Sequence, residues 1–441
     1  MRIDEQKGHT LNLRSEPSTA DGICDRIRRL ESGGLRTFAN ANPLVLASAK
    51  GAWLTDADGR RFLDFGGSFA VTTTGHGHPD VVTAIQSQVE RLIHCPSAYP
   101  SELRAEFLEA IESICAPLLG SVSIMPAMSG SMANEMAVSL VRHLHPGSEL
   151  ISFSGSYFGR SVGVAPLDGK AQYRMALGLG SGAHFAPFPY PLRYGAGATD
   201  FTMNYLEALT GQGGGAGKIG GVFLEPIQGN GGVIVPPPDF LPRLRAFCDR
   251  IGALLVVDEI QSGCGRSGAM WAVSHCGVVP DLMTIGKGIG GNMGVAALVG
   301  KRKHMIWTPD AYSSTFMTNH IGLAASIAAI KVIRDEGLVE RSHVLGEKYL
   351  PMLQEGLAGL PHVAEIRGKG LWLAMEFKDM AHLPAAKVAS SLGEILRAKG
   401  VIMGGGGYAG TVLKMAPALN IDEQDLVGGL TKVRDVIRQL K

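Results

Sequence analysis

The sequence predicts an α/β protein built around a mostly parallel β-sheet, with a smaller second domain. Between about residues 120 and 300, short apolar runs of strand character alternate with segments that have helical spacing, which is the rhythm of βαβ units. One such segment, Phe240–Ile251, directly precedes the apolar run 253–257. A chain of 441 residues also exceeds what one hydrophobic core usually serves, which favours a large domain plus a smaller one.

The segments near the N-terminus predict a hairpin followed by a helix. Residues 51–65 alternate apolar and polar side chains around Asp58-Gly59, a pair typical of tight hairpin turns. Residues 81–94 have the spacing of a helix. Gly-rich tracts at 211–217 and 404–407 are predicted to be loops.

The closing part of the chain predicts a small α+β domain. An Ala- and Ile-rich helix is expected at 321–333, after which charged helices and the strand-like stretch 363–377 follow. We therefore divide the chain into three parts: an N-terminal segment that joins the small domain, 1–75, a large domain, 76–330, and a C-terminal small domain, 331–441.

The composition indicates a small-molecule partner. The net charge is +1, with 41 basic against 40 acidic side chains, so there is no electrostatic reason to expect nucleic acid or an anionic membrane surface as a partner. The six cysteines are dispersed without a C-x-x-C pair, which is typical of reduced cytosolic thiols rather than of disulfides or a metal site. The charged N-terminus lacks the apolar core of a signal peptide, and no uncharged run approaches the roughly 18 residues of a membrane span, so we expect a soluble cytoplasmic protein.

Three apolar runs of the predicted sheet lead into an ionisable residue. The run 221–224 stops at Glu225, the run 253–257 stops at Asp258, and a third run leads to Lys287 among glycines. Because the carboxyl ends of parallel strands form the ligand crevice of an open α/β sheet, we expect these side chains to share one site.

A lysine, carboxylates and a phosphate-binding helix start together fit pyridoxal 5'-phosphate (PLP). This cofactor needs a lysine amine for a Schiff base, a carboxylate to keep its pyridine nitrogen protonated, and donors for its phosphate. Gly130 and Ser131 precede a predicted helix, 133–142, so they can offer amides and a hydroxyl at its positive end. A plain serine N-cap is the alternative, and the two roles are compatible.

Seven motifs in one order resemble those of the class III PLP-dependent aminotransferases of fold type I. The resemblance runs from about residue 35 to 435, and the branch it resembles most is that of the 4-aminobutyrate and related ω-amino-acid aminotransferases. It implies a large domain with a seven-stranded, mostly parallel sheet and a smaller α+β domain. The motifs are Ser129-Gly-Ser-Met-Ala-Asn-Glu135, Tyr157-Phe-Gly-Arg160, Glu225-Pro-Ile-Gln-Gly-Asn-Gly-Gly232, Asp258-Glu-Ile-Gln-Ser-Gly-Cys-Gly-Arg-Ser-Gly268, Gly286-Lys-Gly288, Ser314-Thr-Phe316 and Arg367-Gly-Lys-Gly370.

The resemblance implies a role for each residue around the cofactor ring. Lys287 is expected to form the Schiff base and then to move the proton, and Asp258 to pair with the pyridinium nitrogen. Gln261 is expected to bond the phenolic oxygen, Glu225 to belong to the same polar layer, and Tyr157 to stack on the ring. From spacing alone, Asp258 is as well explained as a helix N-cap, Tyr157 also suits a core position, and Glu225 or Gln261 could lie on a surface turn.

The resemblance also implies a dimer. Thr315 corresponds to a threonine that reaches the phosphate from the neighbouring subunit, so the active sites are expected at the interface of a homodimer. The partners are then an amino donor and a 2-oxo acid, used in turn by ping-pong kinetics.

Departures from the family pattern concern the substrate. Arg160 corresponds to an arginine for a substrate carboxylate, to which its planar fork is suited. Relatives carry a glutamate at the position of Asn230 and an arginine at that of Lys414, a switchable ion pair that lets one pocket take two substrates. Here neither partner is present, so we expect altered acceptor use. Phe69 is expected to narrow the site, with a core position as the alternative.

Other functions stay open on the sequence alone. A racemase, epimerase, aminomutase or decarboxylase can use the same fold and lysine, since one cofactor serves several chemistries. Gly286-Lys-Gly-Ile-Gly-Gly291 also satisfies G-x-G-x-x-G after a strand, as in dinucleotide-binding oxidoreductases, although that fingerprint should open the first βαβ unit.

Overall fold

A computed structural model describes residues 19–35 and 43–440 of the protein. The expectation about a signal peptide falls on residues 1–18, outside the described residues. Within the described ranges, no helix is long and apolar enough to cross a lipid bilayer. The helices are α1 (Ala20–Leu30), α2 (Gly67–Ala70), α3 (Pro79–Arg91), α4 (Glu102–Leu119), α5 (Gly130–Leu144), α6 (Ala171–Met175), α7 (Pro191–Tyr194), α8 (Ala198–Thr210), α9 (Phe240–Ile251), α10 (His320–Asp335), α11 (Leu338–Gly356), α12 (Ala385–Ala398) and α13 (Glu423–Gln439).

The strands alternate with these helices through the middle of the chain and cluster at both ends. They are β1 (Leu46–Lys50), β2 (Trp53–Asp56), β3 (Arg61–Asp64), β4 (Val122–Ala127), β5 (Glu149–Phe153), β6 (His184–Ala186), β7 (Ile219–Leu224), β8 (Leu254–Asp258), β9 (Leu282–Ile285), β10 (Ala296–Lys301), β11 (Val363–Lys369), β12 (Trp372–Phe377), β13 (Val401–Ile402), β14 (Gly404–Gly406) and β15 (Val412–Met415). The predicted helix 240–251 has the bounds of α9, and the predicted hairpin is β2 and β3.

A seven-stranded sheet in the order β4-β10-β9-β8-β7-β5-β6 forms the centre of the fold. Only β10 runs antiparallel to its neighbours, β4 and β9, so the predicted mostly parallel α/β sheet is confirmed. The strands that lead to the three ionisable residues, β7, β8 and β9, are adjacent. Their carboxyl ends therefore open at one edge of the sheet.

The side chains of β8 alternate between two apolar clusters, one on each face of this sheet. Leu255 and Val257 belong to the largest apolar cluster, whereas Leu254 and Val256 belong to a second cluster that includes the apolar side of α5. Because side chains alternate along a strand, the next residue, Asp258, lies on the same face as Val256 and is directed toward α5.

Two smaller sheets join the ends of the chain. One has the order β1-β2-β3-β13, and the other the order β11-β12-β15-β14. The pairing of β3 with β13 links the N-terminal segment to the C-terminal region, although the exact division at 75 and 330 stays a prediction. The expected loop at 404–407 is wrong for Gly404–Gly406, because these glycines pair along β15 as the edge strand β14.

Helix α2 is a single turn wound in the left-handed sense. Its four residues have φ of 55°, 47°, 66° and 64°, which costs each non-glycine residue roughly 1 kcal/mol or more. Gly67 starts the turn because a Cβ there would lie 2.0 Å from the carbonyl oxygen of Ala416. The turn leaves the Phe69 side chain 63% exposed, so the alternative of a core position for Phe69 is wrong.

We predict that Gly67→Ala destabilises the protein much more than Gly51→Ala. Gly51 has nearly the same φ, 58° against 55°, but a Cβ there meets nothing within 4 Å. Gly51→Ala should therefore cost only the left-handed backbone strain, about 1 to 2 kcal/mol, whereas Gly67→Ala adds a collision worth about 1 to 3 kcal/mol more. The denaturation midpoints of both variants, at equal protein and cofactor concentration, measure the two losses of stability. Equal losses would contradict the close approach of Gly67 to Ala416.

Candidate active site

A cavity of about 280 Å³ lies at the carboxyl ends of β7, β8 and β9. The residues proposed around a cofactor line it, apart from Thr315: Gly130, Ser131, Tyr157, Glu225, Asp258, Gln261 and Lys287. The sequence patterns therefore select residues that converge in space from five separate motifs.

Lys287 lies just beyond β9, as the first residue of a short 3-10 helix, Lys287–Gly290. Its φ of 44° is in the left-handed region, a strained conformation for a residue with a side chain. Gly288 allows the close packing here, because a Cβ would lie 2.7 Å from Thr73 Oγ1 and 2.8 Å from Cys264 Cβ. Burial lowers the pKa of the Lys287 amine, while the charges of Asp258 and Glu225 oppose the change. Such a lysine loses its proton more readily than a solvated one, which favours nucleophilic chemistry.

Asp258 is held ionised by two donors in a buried position. The amide of Asn134 donates to Oδ2 at 2.8 Å, and the backbone N–H of Ile260 donates to Oδ1 at 2.8 Å. Burial raises the pKa of Asp258 to about 6, and these hydrogen bonds act in the opposite direction. The alternative interpretation of Asp258 as a helix N-cap is wrong, because β8 leads into a turn and not into a helix. The hydrogen bond from the N–H of Ile260 to Asp258 lies within that turn.

Asn134 orients this carboxylate, and the sequence reasoning assigned it no role. Its amide nitrogen donates both to Asp258 and to the carbonyl of Phe158, at 2.9 Å, while its Oδ1 accepts from the Thr284 hydroxyl at 2.8 Å. Every polar atom of the buried amide is therefore satisfied, which fixes its orientation. A signal was present: Asn134 belongs to the motif 129–135, on the helix that the alternation of β8 faces.

Glu225 is buried between two loops rather than on a surface turn. Its carboxylate accepts from the backbone N–H of Tyr157 at 3.0 Å and from that of Gly229 at 2.9 Å. Burial raises the pKa of Glu225 to about 8, and the neighbouring charge of Asp258 adds to the rise. Next to it, Gln261 donates from Nε2 to the carbonyl of Phe69 at 3.3 Å.

The N-terminus of α5 forms one end of the cavity. Ser129 caps the helix by accepting from the N–H of Met132 at 3.2 Å, so the predicted N-cap is confirmed. Gly159 approaches so closely that a Cβ would lie 2.1 Å from Ser131 Oγ. Amides at a positive helix end suit a phosphate. Thr315 is exposed in the single chain, in a loop whose Ser314 lines a groove that shares Ser129 with the cavity.

The loop 157–160 carries Tyr157 at the cavity and Arg160 outside its lining. The buried Asp168 anchors this loop by accepting from the N–H of Phe158 at 2.6 Å. Burial raises the pKa of Asp168 to about 7, partly offset by the bond from Phe158. The guanidinium of Arg160 lies over the ring of Tyr173, 4.1 Å from the ring centre.

Of the other residues assigned to the substrate, Phe69 and Lys414 line a second cavity, and Asn230 does not. This cavity, of about 210 Å³, shares Gln261 with the first one and is lined by Phe69 and Lys414. The Lys414 ammonium donates to the carbonyl of Gly229 at 3.0 Å, whereas the Asn230 amide donates to Tyr173 Oη at 3.0 Å.

The chain matches the class-III aminotransferase family model over residues 37–437. It belongs to the class III aminotransferases. The chain is 32% identical over 417 residues to the 4-aminobutyrate aminotransferase of Escherichia coli (strain K12), covering 92% of this chain and 96% of that one. It is 32% identical over 416 residues to a leucine/methionine racemase of Thermococcus litoralis, and the match covers 90% of this chain and 91% of that one. A PLP-bound amine transaminase from an uncultivated Pseudomonas species has a TM-score of 0.83 at 26% identity, covering 93% and 98%.

This aminotransferase uses PLP, and the donor set of its cavity fits that cofactor. A buried lysine, an ionised aspartate and the amides at the start of α5 supply what the aldehyde, ring nitrogen and phosphate require. The match of 286–291 to a dinucleotide-binding fingerprint is wrong, because the residues after β9 form a 3-10 helix of four residues, flanked by Gly286 and Gly291, and not the start of an α-helix.

We predict that Thr284→Val weakens PLP binding and shifts its pH dependence. Because Asp258 is expected to hold the ring nitrogen in its ionised form, PLP affinity should fall as the pH drops through about 6, the pKa of Asp258. Without the Thr284 hydroxyl the Asn134 amide is less fixed, so this pKa and the midpoint of the affinity loss should both rise. Equilibrium dialysis of PLP against the apoenzyme from pH 5 to 8 measures the midpoint.

Thr202→Val is the matched control. Its buried hydroxyl donates to the carbonyls of Pro187 and Ala198, away from the cavity. Both variants should lose about 1 to 3 kcal/mol of stability. An equal shift in PLP affinity in the two variants would rule out the link through Asn134.

Proposed function

We propose that this aminotransferase moves an amino group from an ω-amino acid or a related amino acid to a 2-oxo acid by a ping-pong mechanism. The observation that carries the proposal is the grouping of Lys287 with Asp258 and Glu225 at three neighbouring strand ends, in one cavity of about 280 Å³. The similarity to the 4-aminobutyrate aminotransferase supports the class of donor.

Each residue of the cavity has a separate task in this proposal. PLP, when bound, supplies an electron sink for the carbanion, and the pair with ionised Asp258 keeps its ring nitrogen protonated. Lys287 would hold the aldehyde through its amine and would serve as the base that carries the proton between the two reacting carbons. Gly130 and Ser131 hold the phosphate, Gln261 bonds the phenolic oxygen, and Tyr157 stacks on the ring.

Donor recognition is proposed to rest on Arg160. Its guanidinium carries a permanent positive charge and planar N–H donors that match a carboxylate, and no carboxylate within the described residues forms an ion pair with it. An amino acid with a carboxylate away from the reacting amine is therefore favoured over a simple amine.

Acceptor use is proposed to differ from that of relatives with a glutamate–arginine pair. Asn230 carries no charge, and Lys414, a point charge with a bond to Gly229, lacks the fork of an arginine. The second carboxylate of an acceptor such as 2-oxoglutarate then gains little binding free energy from Lys414.

We also propose a cytoplasmic homodimer with shared active sites. Thr315 and its neighbour Phe316, which is 51% exposed, present a surface that a second subunit would cover, and this supports the assignment of Thr315 to the partner's phosphate site. The six free cysteines support a reducing compartment.

We predict that ω-amino acids convert bound PLP to pyridoxamine phosphate in the absence of any oxo acid. Purified enzyme is mixed with one donor at a time, the visible cofactor band is followed, and the cofactor is identified by chromatography. Each ω-amino acid should react about tenfold or more faster than the amine that lacks its carboxylate, and Arg160→Gln should remove that difference. If the band persists while the substrate Cα–H exchanges with deuterated solvent, the reaction is racemase-like and the proposal is wrong.

The second half-reaction tests the acceptor. We predict that kcat/KM with pyruvate exceeds that with 2-oxoglutarate by about tenfold, since the second carboxylate lacks an arginine. Lys414→Arg should improve the use of 2-oxoglutarate more than that of pyruvate. Comparable efficiency with both oxo acids in the unmodified enzyme would contradict the proposed change in acceptor use.

A further inference from the structure

Tyr173, on the short helix α6, contacts three of the residues assigned to the substrate or to the cofactor ring. The Arg160 guanidinium lies over its ring, at 4.1 Å, and the Asn230 amide donates to its hydroxyl at 3.0 Å. The ring of Tyr157 meets it edge to face, with centroids 5.6 Å apart. Tyr173 thus contacts Arg160, which is proposed to bind the substrate carboxylate, and Asn230, which stands in place of the glutamate. It also contacts Tyr157, which is proposed to stack on the cofactor ring.

Lys170 also contacts this group of residues. Its ammonium donates to the carbonyl of Asn230 at 3.2 Å and to that of Gly407 at 2.6 Å, so it fixes the backbone of the loop that carries Asn230. Burial raises the pKa of Tyr173, but the hydrogen bond from Asn230 and the charges of Lys170 and Arg160 together lower it below its usual value. The phenol oxygen is therefore well stabilised as an acceptor for Asn230.

The helix α6 is held in place by contacts at its ends rather than by a core. It has no fully buried residue. Arg174 donates to the carbonyl of Asp168 and lies over the ring of Phe185, at 4.6 Å. Because Asp168 also anchors the loop 157–160 through Phe158, the positions of Tyr173 and Arg160 are fixed relative to each other.

We propose that Tyr173 is a positioning residue that holds Arg160 and Asn230 together as one unit for recognising a substrate carboxylate. This rests on the proposed role of Arg160. A guanidinium held over an aromatic ring keeps N–H donors at its edge available for a bidentate carboxylate. In contrast to an ion pair that opens and closes between substrates, the unit is uncharged at Asn230 and stays assembled.

Two variants of Tyr173 separate its ring from its hydroxyl. Tyr173→Leu removes the surface under Arg160, and Tyr173→Phe removes only the bond with Asn230. KM for an ω-amino acid should rise about threefold to thirtyfold in Tyr173→Leu and about twofold to tenfold in Tyr173→Phe. The dissociation constant of pentanoate, a carboxylate without an amine, should rise in parallel, whereas KM for an amine without a carboxylate should change by less than about twofold.

Tyr349→Phe is the matched control, since its hydroxyl donates to Glu423 at 2.6 Å, on helices away from both cavities. It should leave the ratio of KM values for the two kinds of donor unchanged. The inference is overturned if Tyr173→Leu raises KM equally for donors with and without a carboxylate, or leaves pentanoate binding unchanged. If Arg160→Gln leaves the preference for carboxylate donors intact, the proposed role of Arg160 itself fails, whatever Tyr173 does.

Discussion

The burial of one lysine and two carboxylates at neighbouring strand ends is the constraint on which the rest of the structure depends. Isolated charges in such a position would cost several kcal/mol each, so each needs partners. Glu225 obtains donors from the loops at Tyr157 and Gly229, and Asp258 obtains them from Asn134 and its own turn. The carboxylates therefore shape the surrounding loops as much as the loops shape the cavity, and the same loops carry the residues proposed to meet the substrate.

Much of the fold and the ring-binding side of the site could be predicted because the information is local. The run 253–257 ends at Asp258 within five residues, and the helix 240–251 is visible in its own spacing. The contact partners of Asn134 and Tyr173 could not be predicted, since they lie in segments far along the chain; for Asn134, its place in the motif 129–135 was the one signal of a site. The strand at 404–406 was missed for a similar reason: its glycines carry no strand propensity, and only pairing with β15 makes them a strand.

The two residues proposed on the substrate side in place of an ion pair are each held by an uncharged group of the protein. Asn230 and Lys414 are both engaged by groups of the protein, a phenol in one case and a backbone carbonyl in the other. The neutral hydrogen bond of Asn230 varies less with the charge of the ligand than an ion pair does. In the proposed function, specificity therefore depends on the shape and donor arrangement of the segment 157–173 more than on the exchange of opposite charges.

The pairing of β3 with β13 has a consequence for the way the chain is made. Leu63 and Val401 are direct neighbours across these strands, yet about three-quarters of the chain lies between them. During synthesis the hairpin of β2 and β3 leaves the ribosome early and keeps an unpaired edge until β13 follows. Contacts between such distant residues form slowly. The left-handed turn at 67–70, which touches Ala416, can also reach its final conformation only then, so the second cavity is among the last parts of the molecule to assemble.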